Sequence, residues 1–285
     1  MVKLLTVIGH GVNLLPHFIK HYKRYVDEIN IAVYQTELYP TLEKEISDII
    51  VNYDNVKIVN VINDRIFDWE KVTGLYNFNR LKGPNDWWVI ADIDEFHLYP
   101  NDDMNEMIAD CEDNGWDIIR GGFIDRIGRE GDFPKIESDI SIWQQFPNAG
   151  FFRYPMSKAC PNKICVVKGA IPVSSGQHYA ILDGETTWKW RGWNNPLIAP
   201  IQNYSVQVHH FKWDETSIER IKSVADVDQD YAFSSEYFKM FTEIKKTKFK
   251  ISLTEPEHMF ELGLIYPEFN RYKQWNKLIN KIIAI

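Results

Sequence analysis

Short apolar runs separated by amphipathic stretches of about 10 to 15 residues recur through the first hundred positions, the spacing of strands alternating with helices. Lys3 to Ile8 (KLLTVI) predicts a first strand. Leu14, Leu15, Phe18, Ile19, Tyr22 and Val26 then share one helical face, with Asn13 as N-cap and Pro16 in the first turn. The alternation continues with a strand over Ile29 to Tyr34, a helix over Leu42 to Tyr53, a strand over Val56 to Ile62 and a helix over Asp68 to Leu81. A fourth apolar run, Trp87 to Ala91, leads directly into Asp92, Asp94 and Glu95. Such a series predicts right-handed crossovers and a mostly parallel sheet. Ligands of such sheets sit beyond the carboxyl ends of the strands, which here carry Gly9, Gln35 with Thr36, Asn63 with Asp64, and Asp92 with Asp94.

The pattern then changes. Met104 to Cys111 predicts a helix, and Trp116 to Arg120 a strand entering GGFIDRIGREG. From Phe133 to Trp213 the alternation fails. Short strands over Ile164 to Val167, His178 to Leu182 and Val206 to Phe211 lie among loops rich in Pro, Gly and Trp, a composition suited to acceptor binding. From Asp214 onward helices are predicted over Thr216 to Val224, Tyr231 to Lys245, Pro256 to Leu262 and Glu268 to Ile283. The last sets Trp275, Leu278, Ile279 and Ile282 against Lys273, Lys277 and Lys281, the pattern of a docked amphipathic helix. The expected organisation is a catalytic domain over residues 1–213, with a nucleotide-binding half (1–100) and an acceptor-binding half (101–213), followed by a helical segment over 214–285.

Composition narrows the partners. The net charge is −8 and no basic tract is present, so nucleic acid is not an expected partner. With 45% hydrophobic residues the chain can bury a substantial core. Cys111, Cys160 and Cys165 form neither a paired framework nor a CxxC, which indicates a reducing compartment without structural zinc. The opening MVKLLTVIGHG carries neither a signal-peptide pattern nor a membrane span, so a soluble cytoplasmic protein is expected, without membrane association. Oligomeric state is left open.

The candidate chemistry begins at Asp92 and Asp94. On a strand they leave from the same side with Cα atoms roughly 6.5 Å apart. Two like charges that close need a cationic partner, and a divalent metal holding a ligand phosphate meets the need. A structural ion pair is the alternative. His209 and His210 in VQVHHFKWD face opposite ways on a strand, so one of them, with His210 preferred, can share a face with such a metal. His178 in SSGQHYA can contact a substrate hydroxyl or phosphate, or be a satisfied core histidine. Asp125 and Arg126 can form a base beside a phosphate-binding cation, or a mutual ion pair. Trp188, Trp190 and Trp193 can stack on sugars or cover a second apolar cluster. His17 and His21 are expected on the polar face of the first helix, without a metal role.

Taken in order, VIGHGVNLLPHFIKHY, DWWVIADIDEF, GGFIDRIG, QQFP, Lys163 before a strand, GQHYA and HHFKW resemble the GT-A glycosyltransferases of the family-2 type, in the branch whose metal motif reads DxDEF. The similarity runs from about Lys3 to Trp213. It departs from the common pattern at the first turn, where family members often carry Asn-Glu and this chain has His10, Gly11, Val12 and Asn13. The resemblance implies a Rossmann-like α/β sheet flanked by helices with a C-terminal helical extension. It also implies transfer of a hexosyl or deoxyhexosyl unit from a UDP- or GDP-sugar to a glycan or other hydroxyl acceptor, with Mn2+ or Mg2+. Asp92 would then contact ribose or metal, Asp94 would ligate the metal and His210 would complete the set, with Gly9, Gln35 and Asp64 near the nucleotide. Asp125 is the candidate base, and Arg126, Lys163, His178, Trp190 and His209 the candidate acceptor contacts. A sugar-nucleotide nucleotidyltransferase and a noncatalytic carbohydrate-binding protein are the competing readings.

Overall fold

The computed structural model describes residues 1–100, 102–152, 162–186, 195–200, 203–204, 206–226, 234–251 and 259–260. The expectations for Trp188, Trp190 and Trp193, and the final helix over Glu268 to Ile283, lie outside them. The chain forms two compact units, each built from two segments: Met1–Gly122 with Pro161–Val208, and Phe123–Cys160 with His209–Ile285. The division is therefore interleaved along the chain.

The first unit opens with β1 (Val2–Ile8), α1 (Leu15–Tyr22), β2 (Glu28–Thr36), α2 (Leu42–Ile50), β3 (Val56–Asp64), α3 (Trp69–Arg80), β4 (Trp87–Ile90), β5 (Glu95–Leu98) and α4 (Met104–Asn114). β6 (Ile118–Ile127) begins in this unit and ends in the second, which continues with α5 (Ile142–Gln145) and β7 (Asn148–Phe152). β8 (Asn162–Lys168), β9 (Ile181–Leu182) and β10 (Glu185–Thr186) return to the first unit. β11 (Val206–His210) again crosses the division, and α6 (Ser217–Ala225), α7 (Ser234–Lys246) and β12 (Met259–Phe260) belong to the second.

The architecture of the first unit is α/β, as the periodicity predicts. β1 pairs in parallel with β2 and with β4, and β2 pairs in parallel with β3, giving the order β4-β1-β2-β3. β8 then runs antiparallel against β4 and against the first half of β6. Because β2 and β3 extend the sheet on one side of β1 while β4 lies on the other, the winding reverses between β1 and β4. Crevices open beyond the carboxyl ends of strands at such a reversal.

Burial explains the strand sequences. Leu4, Leu5, Ile31, Val33, Val89 and Ile90 are all 0% exposed, as expected for parallel strands covered on both faces. Asp68 caps α3 by accepting the amides of Glu70 and Lys71 at 2.8 and 3.2 Å, and Asp103 caps α4 in the same way. In the second unit, Asp125 to Ile127 of β6 pair antiparallel with Asn148 to Gly150 of β7. Trp213, Ile221, Met240, Ile244 and Ile251 form its core.

Two expectations are corrected. Met259–Phe260 is a strand paired with β7, where a helix over Pro256 to Leu262 was expected. His17 is 7% exposed rather than on a polar face, and the His21 ring nitrogen Nε2 meets the His97 carbonyl at 2.8 Å. Burial pushes the His21 imidazole down to about 4, only partly offset by that carbonyl. An unfolded histidine titrates near 6.5, so between those values the unfolded chain binds the extra proton. The contribution of this neutral histidine is complete above about pH 6.5 and lost as the pH falls towards 4, about 3 kcal/mol in all. Urea unfolding between pH 7 and pH 4 should show this loss, with a shallower acid limb in His21→Gln. An unchanged limb would contradict it.

Candidate functional site

The reversal point between β1 and β4 is physically opened by one side chain. Ladder pairing of these strands ends at Leu5 with Ile90, followed by a long bond of 3.4 Å from the Ala91 amide to the Leu5 carbonyl. Beyond it the Tyr76 hydroxyl from α3 enters. It accepts from the Val7 amide at 3.1 Å and faces the Ala91 carbonyl at 3.1 Å and Asp92 Oδ1 at 2.7 Å. Burial raises the Tyr76 phenol well above its usual value, so it stays a proton donor towards the carboxylate. No motif reveals this role, since the sequence places Tyr76 only within the helix expected over Asp68 to Leu81.

Asp92 follows β4 with Ala91 between them. Its Oδ2 lies 3.1 Å from the Lys163 ammonium, which also meets Glu95 Oε1 at 2.6 Å. Glu95 Oε2 in turn accepts the Asp92 amide at 3.3 Å. The Lys163 and Glu95 side chains are 1% and 2% exposed, whereas Asp92 keeps 29%. Burial alone would lower the Lys163 pKa, but Asp92 and Glu95 outweigh it and hold the ammonium above its usual value. Expected as an acceptor contact, Lys163 instead has its charged end enclosed beneath the acidic turn. Asp94 is 7% exposed.

The glycines of the first turn have distinct tasks. A side chain on Gly9 would meet the Phe67 ring at 2.6 Å, and Gly11 has φ +70, the left-handed region that glycine tolerates best. His10 lies 6.4 Å from both Tyr39 and Phe67, and Phe67 lies 4.7 Å from Trp69. These half-buried rings form an aromatic shelf near the carboxyl ends of β1 to β3, which the sequence reading did not assemble.

Gln35 and Asp64 end adjacent parallel strands. The Gln35 amide donates to Asn63 at 2.9 Å and accepts the Glu43 amide at 3.1 Å. Lys71, the Tyr34 hydroxyl and the Arg65 amide hold the Asp64 carboxyl down at about 2. His178 is anchored through Nδ1, which donates to the Asn162 carbonyl at 2.9 Å.

The second unit separates the two adjacent histidines. His210 Nδ1 lies 3.1 Å from Asp125 Oδ1, which also accepts the Trp213 indole at 3.4 Å. A neutral His210 therefore carries its proton on Nδ1, with Nε2 as the basic nitrogen, the arrangement used by both metal-bound and proton-accepting histidines. His209 is buried, and its Nδ1 accepts Arg126 Nε at 3.0 Å. Arg126 packs over Trp143 with its guanidinium 5.1 Å from the ring, and burial pushes it down to about 10. The paired alternation of Asp125 with His210 and Arg126 with His209 puts the two pairs on opposite strand faces.

Among the described residues no three His, Cys, Asp or Glu side chains gather as a ready metal cage. One or two carboxylates completed by ligand phosphates are the usual protein share of a Mg2+ site, and Asp92 and Asp94 match that share. Also among the described residues, no helix is long and apolar enough to cross a membrane.

Strand order and site together define an α/β protein with an acidic turn at the winding reversal of its sheet. No family profile matches the sequence, and no curated protein matches it. Solved structures with similarity include a mannosyltransferase from Pyrobaculum calidifontis in complex with GDP-Man and Mn2+, 11% identical, covering 84% of this chain and 68% of that one, with a TM-score of 0.40. They also include S. aureus TarS 1–349, 8% identical over 90% of this chain and 73% of that one, TM-score 0.33. A 4-diphosphocytidyl-2C-methyl-D-erythritol synthase is 13% identical over 59% of this chain and 75% of that one, TM-score 0.29.

Proposed function

We propose that this protein is a glycosyltransferase that moves a hexosyl or deoxyhexosyl unit from a UDP- or GDP-sugar to a hydroxyl of a glycan acceptor, aided by Mn2+ or Mg2+. The observation that carries this reading is the acidic turn Asp92 to Glu95 at the point where the winding reverses between β1 and β4. Asp94 is the proposed metal ligand, and Asp92 the proposed contact to ribose or metal. A divalent cation bound there would supply charge neutralisation for the departing diphosphate.

The chain's own groups supply the rest. Gly9, Gln35 and Asp64 border the proposed nucleotide region, and the shelf of His10, Tyr39, Phe67 and Trp69 suits a base, since aromatic faces stack on bases. In the second unit the proton acceptor for the hydroxyl is His210 Nε2. Asp125, the candidate base on sequence, acts through it by fixing the tautomer and balancing the charge that the imidazole gains. Incubation with a panel of UDP- and GDP-sugars and Mn2+ tests the reading. Donor turnover that disappears with EDTA and in Asp94→Ala is expected, and turnover indifferent to both would overturn it.

A further inference from the structure

Within the proposed function, on which this inference rests, we infer that Lys163 is a positioning residue that acts through Glu95 and Asp92 to fix the carboxylate facing the donor. The Lys163 side chain is 1% exposed, so its ammonium touches no substrate itself. It reaches Asp92 Oδ2 at 3.1 Å and Glu95 Oε1 at 2.6 Å, while Glu95 Oε2 accepts the Asp92 amide at 3.3 Å. Tyr76 takes the other Asp92 oxygen at 2.7 Å. Asp92 is thus held at both side-chain oxygens and at its backbone. A carboxylate offers about four lone-pair sites, so two remain for a ligand on the 29% of the side chain that is open.

The arrangement is graded from closed to open. β8 brings Lys163 up beneath the turn, Glu95 closes over it at 2% exposure, and Asp92 alone of the three reaches solvent. Glu95, the acidic residue that extends DxD to DxDE, is therefore an internal anchor that makes a buried ammonium tolerable beside Asp92. Its partner lies 68 residues away. Outer partners that orient a binding carboxylate are worth about 10-fold to 100-fold in metal affinity where such effects have been measured.

The test compares wild type with Lys163→Met/Glu95→Gln, which removes one positive and one negative charge and leaves the net charge of the turn unchanged. UDP and GDP are titrated calorimetrically with and without Mn2+, and thermal unfolding is recorded for each form. The double variant should fold and bind the Mn2+–nucleotide combination at least about 10-fold more weakly, with little change in metal-free nucleotide affinity. Glu95→Gln, which retains an acceptor for Lys163, is the second variant. It should shift affinity in the same direction by a smaller factor, and it carries the test if the double variant does not fold. Wild-type Mn2+–nucleotide affinity in either folded variant would overturn the inference and give Lys163 a purely structural role. Failure of wild type to bind either nucleotide would instead remove the function on which the inference stands.

Discussion

Asp94→Ala is expected to lower donor turnover by about 10³-fold, because several kcal/mol of charge stabilisation at the departing diphosphate leave with it. The buried Lys163–Glu95 pair, at 2.6 Å, is made by two other side chains and is left in place by the substitution. Steady-state kinetics with the best donor of the panel, beside an unfolding curve, separates loss of chemistry from loss of fold. A variant that retains more than about a tenth of wild-type turnover would remove Asp94 from the charge-stabilising role.

His210→Ala should lower kcat by about 10²-fold to 10⁴-fold, the range for a positioned general base. The 3.1 Å contact with Asp125 fixes the tautomer, since the carboxylate accepts the proton carried on Nδ1. Asp125→Asn keeps a hydrogen-bonding group but no longer balances the imidazolium, so it should reduce kcat with little change in KM. The family resemblance gives His210 another role, that of metal ligand, and the two roles diverge in one measurement. A proton acceptor can be removed with Mn2+–nucleotide affinity unchanged within about threefold, whereas a ligand cannot. Loss of metal-dependent binding in His210→Ala would assign it to the metal.

Much of the first unit was legible in the sequence because its central parallel strands are short apolar runs and its helices keep their period. The caps were less legible: Asn13 was expected to cap the first helix, which has no side-chain cap, whereas Asp68 caps α3. Asp92 and Asp94 were expected on the strand itself, leaving from the same side; β4 instead ends at Ile90, and both lie in a turn closed by the Glu95 amide donating to the Asp92 carbonyl at 2.9 Å. The opposed directions of His209 and His210 needed only the two-residue repeat of a strand. β5 was harder to see, since Glu95–Leu98 is four residues long and begins with a charge.

What the sequence concealed was pairing over distance. Lys163 and Glu95 are 68 positions apart, and Tyr76 and Asp92 lie on different elements. Neither pair leaves a local signature, so Lys163 was assigned to the acceptor and Tyr76 received no role. The first helix failed differently. His17 and His21 were assigned to a solvent face because histidine is polar. Yet His17 is 7% exposed, and His21 meets the His97 carbonyl as a largely buried neutral ring. The aromatic shelf combined both difficulties, since His10, Tyr39, Phe67 and Trp69 come from three separate strand ends.

The central claim is that the acidic turn at the reversal between β1 and β4 receives a metal–nucleoside diphosphate. Calorimetric titration of UDP and GDP into the full chain, with and without Mn2+ and again with Asp94→Ala, tests it most directly. The account predicts that one nucleotide binds wild type at least about 10-fold more tightly with Mn2+, and that this enhancement vanishes in Asp94→Ala. Binding of neither nucleotide, or binding that ignores both Mn2+ and Asp94, would contradict it.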